Sequence, residues 1–222
     1  MKRPLQMITG VMFYLVFVGL TTGDDALQAV DLRCEYLTNP LGIDEVQPRL
    51  SWRLTSQARG QSQTAYRILV ASAIEHLENE SADLWDSGQV VTNQSIHILY
   101  AGKPLTSRQR CYWKVQVWDD DERKCEWSEP AQWSMGLLQN DDWSADYISY
   151  RDETPVFDKS DSLFLPPAQY YRKQFSSKQT IQRATIYATA LGIYELELNG
   201  QRVGDAHFAP GWTDYRQRAY YN

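Results

Sequence analysis

Cysteine, histidine and long apolar runs are all scarce in this chain. Three Cys and three His are spread over 222 residues. No CxxC pair occurs, so a thiolate metal site has no basis, and neither a metal nor a cofactor is expected. Cys34, Cys111 and Cys125 are too few and too dispersed for a disulfide framework, and are expected to be free or buried thiols. Glycine-rich phosphate loops, a G-x-S-x-G elbow and an HExxH helix are also missing. Their absence removes the common signatures of nucleotide binding, serine-hydrolase and metalloprotease chemistry. Basic charge is in deficit: 22 Lys and Arg stand against 28 Asp and Glu, a net −6, with no basic stretch. Nucleic acid is therefore not an expected partner. The acidic run Asp119–Glu122 lacks the spaced ligands and glycine of a calcium loop and reads as a charged hairpin tip.

The one extended apolar run, Met7 to Leu20, is shorter than the roughly 20 residues that span a bilayer. Lys2 and Arg3 precede it, and a polar stretch with small residues leads to Ala29. This is the pattern of a secretory signal peptide over residues 1–29, with cleavage after Ala29 or near Gly23. The mature chain is then expected to be periplasmic or extracellular and to carry no membrane span.

Aromatics are plentiful, with 8 Trp and 14 Tyr. Many of them fall in segments of period two, the mark of half-buried strands. "RLSWRL" puts Leu50, Trp52 and Leu54 on one face, and "AYRILVAS" does so with Tyr66, Ile68 and Val70. "CYWKVQVWD" aligns Cys111, Trp113, Val115 and Val117, with Lys114 and Gln116 opposite. If Cys111 lies in a hairpin with the segment after Asp119–Lys124, simple register sets it opposite a residue near Gln132. Ser72–Asn79 suits one or two helical turns. "DLWDSGQV" and "QSIHILY" add strand candidates, and "CEWSEPAQWSMGL" closes the set with Pro130 at an edge. About seven short strands at even spacing predict an immunoglobulin or fibronectin type III-like β-sandwich over residues 30–138.

Residues 139–162 break the pattern with acidic residues, Ser and Pro, and read as a connector. From 163 to 222 a second strand set is expected. "YYRKQF" alternates. Ala184, Ile186, Ala188 and Ala190 share a face, Tyr194, Leu196 and Leu198 point inward, and Asn199-Gly200 is a two-residue hairpin signal. A jelly roll needs about eight strands, so these residues predict only part of one. The fold class is thus all-β: one complete sandwich and an incomplete second. The expectation is that the chain is a fragment of a longer protein.

Candidate chemistry is sparse. Glu195 and Glu197, at i and i+2 on a strand, sit about 7 Å apart, within the range of inverting glycosidase carboxylates. Any Glu-x-Glu on a strand meets that spacing, and no catalytic residue is assigned. "GWTDY" is the better contact site. Trp212 and Tyr215 would stack on sugar faces and Asp214 would accept from hydroxyls. The plainer alternative is that Trp212 fills a core and Asp214 caps a turn.

Taken in order, "LRCEYLTNPLGIDEVQPRLSWRL", "AYRILVAS", "DLWDSGQV", "RCYWKVQVWD", "WSEPAQWSMGLL", "YYRKQF", "ALGIYELELNGQRVGD" and "APGWTDYRQRAYYN" resemble bacterial α-L-rhamnosidases of the Bacteroides type. The resemblance implies a fibronectin-like sandwich, then a galactose-binding-like sandwich, with further domains and a catalytic (α/α)₆ barrel beyond. It implies an inverting action of the parent on terminal rhamnose of a glycan, through carboxylates of the barrel. None of the catalytic motifs falls in these residues, so the resemblance implies no hydrolysis by this chain alone. One departure is Trp113, where fibronectin-type strands often carry a core Tyr; an indole N–H would have to make that tyrosine's hydrogen bond. The rival to a rhamnosidase fragment is a free-standing carbohydrate-binding or adhesion module.

Overall fold

The computed structural model of the protein describes residues 26–149 and 168–222. Residues 1–25 of the signal-peptide segment and residues 150–167 lie outside them; at the end of that segment Leu27 and Ala29 are described, and both are buried in the first unit's core. The chain divides into two units between Asp142 and Trp143.

In the first unit β1 (Gln28–Cys34), β2 (Arg49–Thr55), β3 (Ala65–Ala71), the short helix α1 (Ile74–Glu78), β4 (Trp85–Asp86), β5 (Val90–Val91), β6 (Ile98–Leu99), β7 (Arg110–Trp118), β8 (Lys124–Trp127) and β9 (Ala131–Ser134) follow in order. They form two antiparallel sheets. One runs β1-β2-β6. The other has β3 and β7 at its centre, with β4 and β5 along the free side of β3 and β8 and β9 along the free side of β7. The break between β8 and β9 falls at Pro130, which has no N–H to give. Just before it Ser128 takes over: its N–H donates to the Val115 carbonyl (2.8 Å) and its Oγ accepts from the Val115 N–H (3.1 Å).

The two sheets bury the faces that the alternation marks. Leu50, Trp52, Tyr66, Ile68, Val70, Cys111, Trp113, Val115 and Val117 all enter one core. Cys111 pairs with Trp133, one residue from the register expected near Gln132. Cys34, Cys111 and Cys125 are free and buried. Burial pushes the Cys111 thiol up to about 12 and raises Cys34 further. Polar atoms in this core are mostly paired. Trp52 Nε1 donates to Gln63 Oε1 (2.9 Å), and Gln63 Nε2 donates to the carbonyls of Thr92 (3.2 Å) and Gln94 (3.0 Å). Trp113 is the exception. Its indole N–H is buried without a hydrogen-bond partner among the described residues, so it does not stand in for a fibronectin-type tyrosine. The buried hydroxyl that bonds to backbone belongs to Tyr100, which donates to the Lys103 carbonyl at 2.8 Å. Gly102 makes room for it: a Cβ there would lie 2.5 Å from Tyr100 Oη and Trp85 Cβ.

Lys114 and Gln116, on the face opposite that core, are buried as well; Lys114 is 8% exposed. The cause is a second layer on the outer face of the larger sheet. Helix α1 sets Leu77 against Leu69 and Ala71, with Tyr112 and Trp127 beside them. Lys114 Nζ donates to the Leu77 carbonyl (2.7 Å) and stands 4.6 Å from the Trp127 ring centre. Burial lowers its pKa. Gln116 Nε2 donates to the Cys125 carbonyl at 2.8 Å. At the hairpin tip, Asp119 is buried as well. Its Oδ1 accepts from the N–H groups of Asp121 (3.0 Å) and Arg123 (2.9 Å), so it organises the turn.

The second unit is sparser in strand. β10 (Glu197–Leu198) and β11 (Gln201–Arg202) make a two-stranded hairpin. Asn199 (φ 52°) and Gly200 (φ 76°) form its turn, as that dipeptide predicts. Two isolated bridges, Tyr194 to Ala209 and Thr189 to Tyr221, draw the later loops back. The expected strand over "YYRKQF" does not form, Ile186 is exposed, and Leu198 is exposed rather than inward. The alternation is present, but the described residues of this unit supply no second sheet to receive an apolar face.

Candidate functional site

The hairpin and the two bridges position the Gly211–Tyr215 segment. Tyr194 N–H donates to the Ala209 carbonyl at 2.7 Å, which brings the chain after Phe208 alongside Ile193. Ala188 and Asn222 exchange a pair of backbone bonds (2.9 and 3.0 Å) and close the loop from the other end.

Within that frame the three candidate residues separate. Trp212 is 80% exposed and borders a surface pocket of about 360 Å³ with Ile193, Phe208 and Gly211. Asp214 and Tyr215 do not line it. Asp214 holds a turn: its Oδ1 accepts from the Arg216 N–H (3.1 Å), and its carbonyl accepts from Gln217 (2.9 Å) and Arg218 (3.1 Å). Thr213 Oγ1 accepts from Arg218 Nε at 3.1 Å. Phe208 and Ile193, which complete the pocket, were not singled out from the sequence. The available signal was an aromatic between "DAH" and "APGW", in a loop too short to bury it. Glu195 and Glu197 are both exposed, and neither lines the pocket.

A larger cavity, about 480 Å³, lies in the first unit between β1 and the β8–β9 edge. Its lining includes Asp31, Asn39, Glu126 and Glu129. Asp31 is bound to Arg33 and Arg53 at 3.1 Å each, and Asn39 Oδ1 accepts from the Gln132 N–H at 2.9 Å. Glu126 and Glu129 face solvent. Elsewhere on this unit Glu35 is held below the usual carboxylate range by hydrogen bonds from Arg49, which also stacks 4.9 Å from the Tyr36 ring centre. Burial opposes ionisation of Asp83, but the Ser72 N–H (2.8 Å) and Oγ (2.6 Å) outweigh it and hold its pKa at about 2. Both are structural pairings at loop junctions. Among the described residues no group of three His, Cys, Asp or Glu side chains gathers as a metal site.

The family model of the Rha78A-like N-terminal immunoglobulin domain matches residues 29–139, nearly all of the sandwich. The chain belongs to the Rha78A-like α-L-rhamnosidase family. The model of the α-L-rhamnosidase N-terminal domain matches residues 179–222, which contain the Trp212 pocket. An α-L-rhamnosidase of Formosa agariphila is 36% identical over 215 residues, covering 94% of this chain and 23% of that protein. One from Alteromonas sp. is 38% identical over 187 residues, covering 83% of this chain and 20% of the relative. The structure of the Dictyoglumus thermophilum α-L-rhamnosidase superposes with a TM-score of 0.76 at 32% identity, covering 87% of this chain and 22% of that one. The chain therefore spans about a fifth of the α-L-rhamnosidases it matches, and what it matches there is their N-terminal part.

Proposed function

We propose that this chain is the non-catalytic N-terminal part of an exported α-L-rhamnosidase, and that the protein as a whole releases terminal α-L-rhamnosyl residues from rhamnose-containing glycans. The observation that carries this reading is the extent of the match, 94% of the chain against 23% of the relative. The chemistry supports it. Glycoside hydrolysis needs two carboxyl groups held about 5–9.5 Å apart across the scissile bond, one of them an acid kept protonated by its surroundings. Glu195 and Glu197 stand in solvent outside either cavity, and Glu126 and Glu129 lie exposed at a sandwich edge without that enclosure. Export is part of the proposal and rests on the signal-peptide pattern of residues 1–29.

The test has two readouts. The purified chain is incubated with an aryl α-L-rhamnoside, and turnover no faster than buffer is expected; hydrolysis by the chain itself would overturn the assignment. The chain expressed in a bacterial host is then fractionated and its N-terminus sequenced. A periplasmic or secreted product starting after Ala29 or near Gly23 is expected, and an intact Met1 in the cytoplasm argues against export.

A further inference from the structure

We propose that the pocket bordered by Ile193, Phe208, Gly211 and Trp212 is the seat of an apolar segment from the part of an α-L-rhamnosidase that lies beyond this chain's match. It is a protein contact rather than a sugar subsite. The proposal rests on the family reading above and names the surface through which it operates.

Three observations carry it. First, the apolar side chains are exposed together. Trp212 is 80%, Phe208 74% and Ile193 52% accessible. Single exposed apolar side chains are ordinary, but several gathered around one concavity mark a contact surface. Second, the lining is chemically wrong for a sugar. A monosaccharide carries hydroxyls on every edge, and its sites combine an aromatic face with convergent polar groups. Among the described residues, the only polar side-chain group on the lining is the Trp212 indole N–H. The nearby carboxylate, Asp214, is bound into its own turn through the Arg216 N–H. An apolar side chain loses nothing on entering such a pocket, whereas a hydroxyl leaves its water without replacement. Aromatic anchors in a small pocket are the usual centre of a protein interface. Third, the comparisons say what is available to fill it. Residues 179–222 match the α-L-rhamnosidase N-terminal domain, and proteins that contain this segment carry about four-fifths of their length outside the match.

The test uses thiol labelling, because all three native cysteines are buried and give little background. The full chain carrying Phe208→Cys is treated with a maleimide, first alone and then fused to the part of the Formosa agariphila relative beyond its match. Labelling is expected to be fast in the chain alone and at least about tenfold slower in the fusion, as burial at an interface core requires. Equal rates in a fusion that hydrolyses an aryl α-L-rhamnoside overturn the contact while leaving the family reading intact. A folded fusion without hydrolysis counts against the family reading instead. Protection of the chain alone by L-rhamnose assigns the pocket to sugar and overturns the proposal, and protection that grows with chain concentration assigns it to a second copy and does the same. Should the fusion not fold, dye binding to the chain decides. The Phe208→Ser, Trp212→Ser double variant is expected to lose most of the fluorescence of a bound anilinonaphthalene sulfonate. Unchanged fluorescence shows that this patch is not the exposed apolar surface and overturns the proposal.

Discussion

The two units begin from the same signal and end differently. In the first, period-two segments become strands of seven to nine residues whose apolar faces meet across a core, and Trp113 and Val115 are 0% exposed. In the second, equally good alternation around Tyr194–Leu198 yields strands of two residues, and Leu198 remains 39% exposed. Alternation decides which side chains share a face. Burial of that face needs an opposing layer, and only the first unit's described residues provide one. The contrast also sorts the aromatics. Trp113, in an alternating strand, is core, whereas Trp212, in the Gly211–Tyr215 segment, is open to solvent.

Hydrogen exchange separates the two units by the largest margin. Amides of β3 and β7, such as Ile68 and Val115, are expected to exchange at least about a thousandfold more slowly than those of Glu197 and Arg202, because they open only with the sandwich. Similar protection in both units would show that the second is as well packed as the first.

Mutation comes next in size. Trp113→Ala should cost about 3–5 kcal/mol in urea denaturation, offset a little by removing an unpaired indole N–H. Trp212→Ala should stay within about 0.5 kcal/mol of the parent. A large loss from the second variant would mean that Trp212 supports a core. Gly102→Ala sharpens the picture of the first unit: its methyl has no space between Tyr100, Trp85 and Leu84, and a loss of about 1–3 kcal/mol is expected.

The smallest effect is electrostatic. Asp83 ionises in the folded sandwich near pH 2, below the roughly 3.9 of an unfolded Asp. Its pairing with Ser72 therefore adds stability above about pH 4 that is lost as the pH falls towards 2. The group is partly exposed, so solvent screening holds the contribution below about 1 kcal/mol. The urea midpoint of Asp83→Asn should change less than the parent's between pH 5 and pH 2.5; an identical change in both proteins would remove Asp83 from the acid response.

The division of labour between sequence and structure follows residue by residue. Local chemistry alone set the sandwich strands, because alternation, turn residues and β-branched or aromatic content act over neighbouring positions. The same local rules placed the Asn199-Gly200 turn, and hairpin register put Cys111 opposite Trp133 to within one residue. What stayed hidden depended on distant partners. Lys114 and Gln116 look like surface residues until α1 and Trp127 cover their face, and Asp119 looks solvated until the backbone of its own turn closes on it. The Trp113 indole has its place but no acceptor among the described residues, which only the packing around it could reveal. The three residues read as one contact site come apart because Asp214 is bound within its own turn, while Phe208 and Ile193 reach Trp212 through the bridge between Tyr194 and Ala209. Which faces are apolar and where the chain turns are local matters, set within a few residues. The tertiary structure alone decided which of those faces are covered, because burial is a property of two surfaces and the second is written elsewhere in the chain.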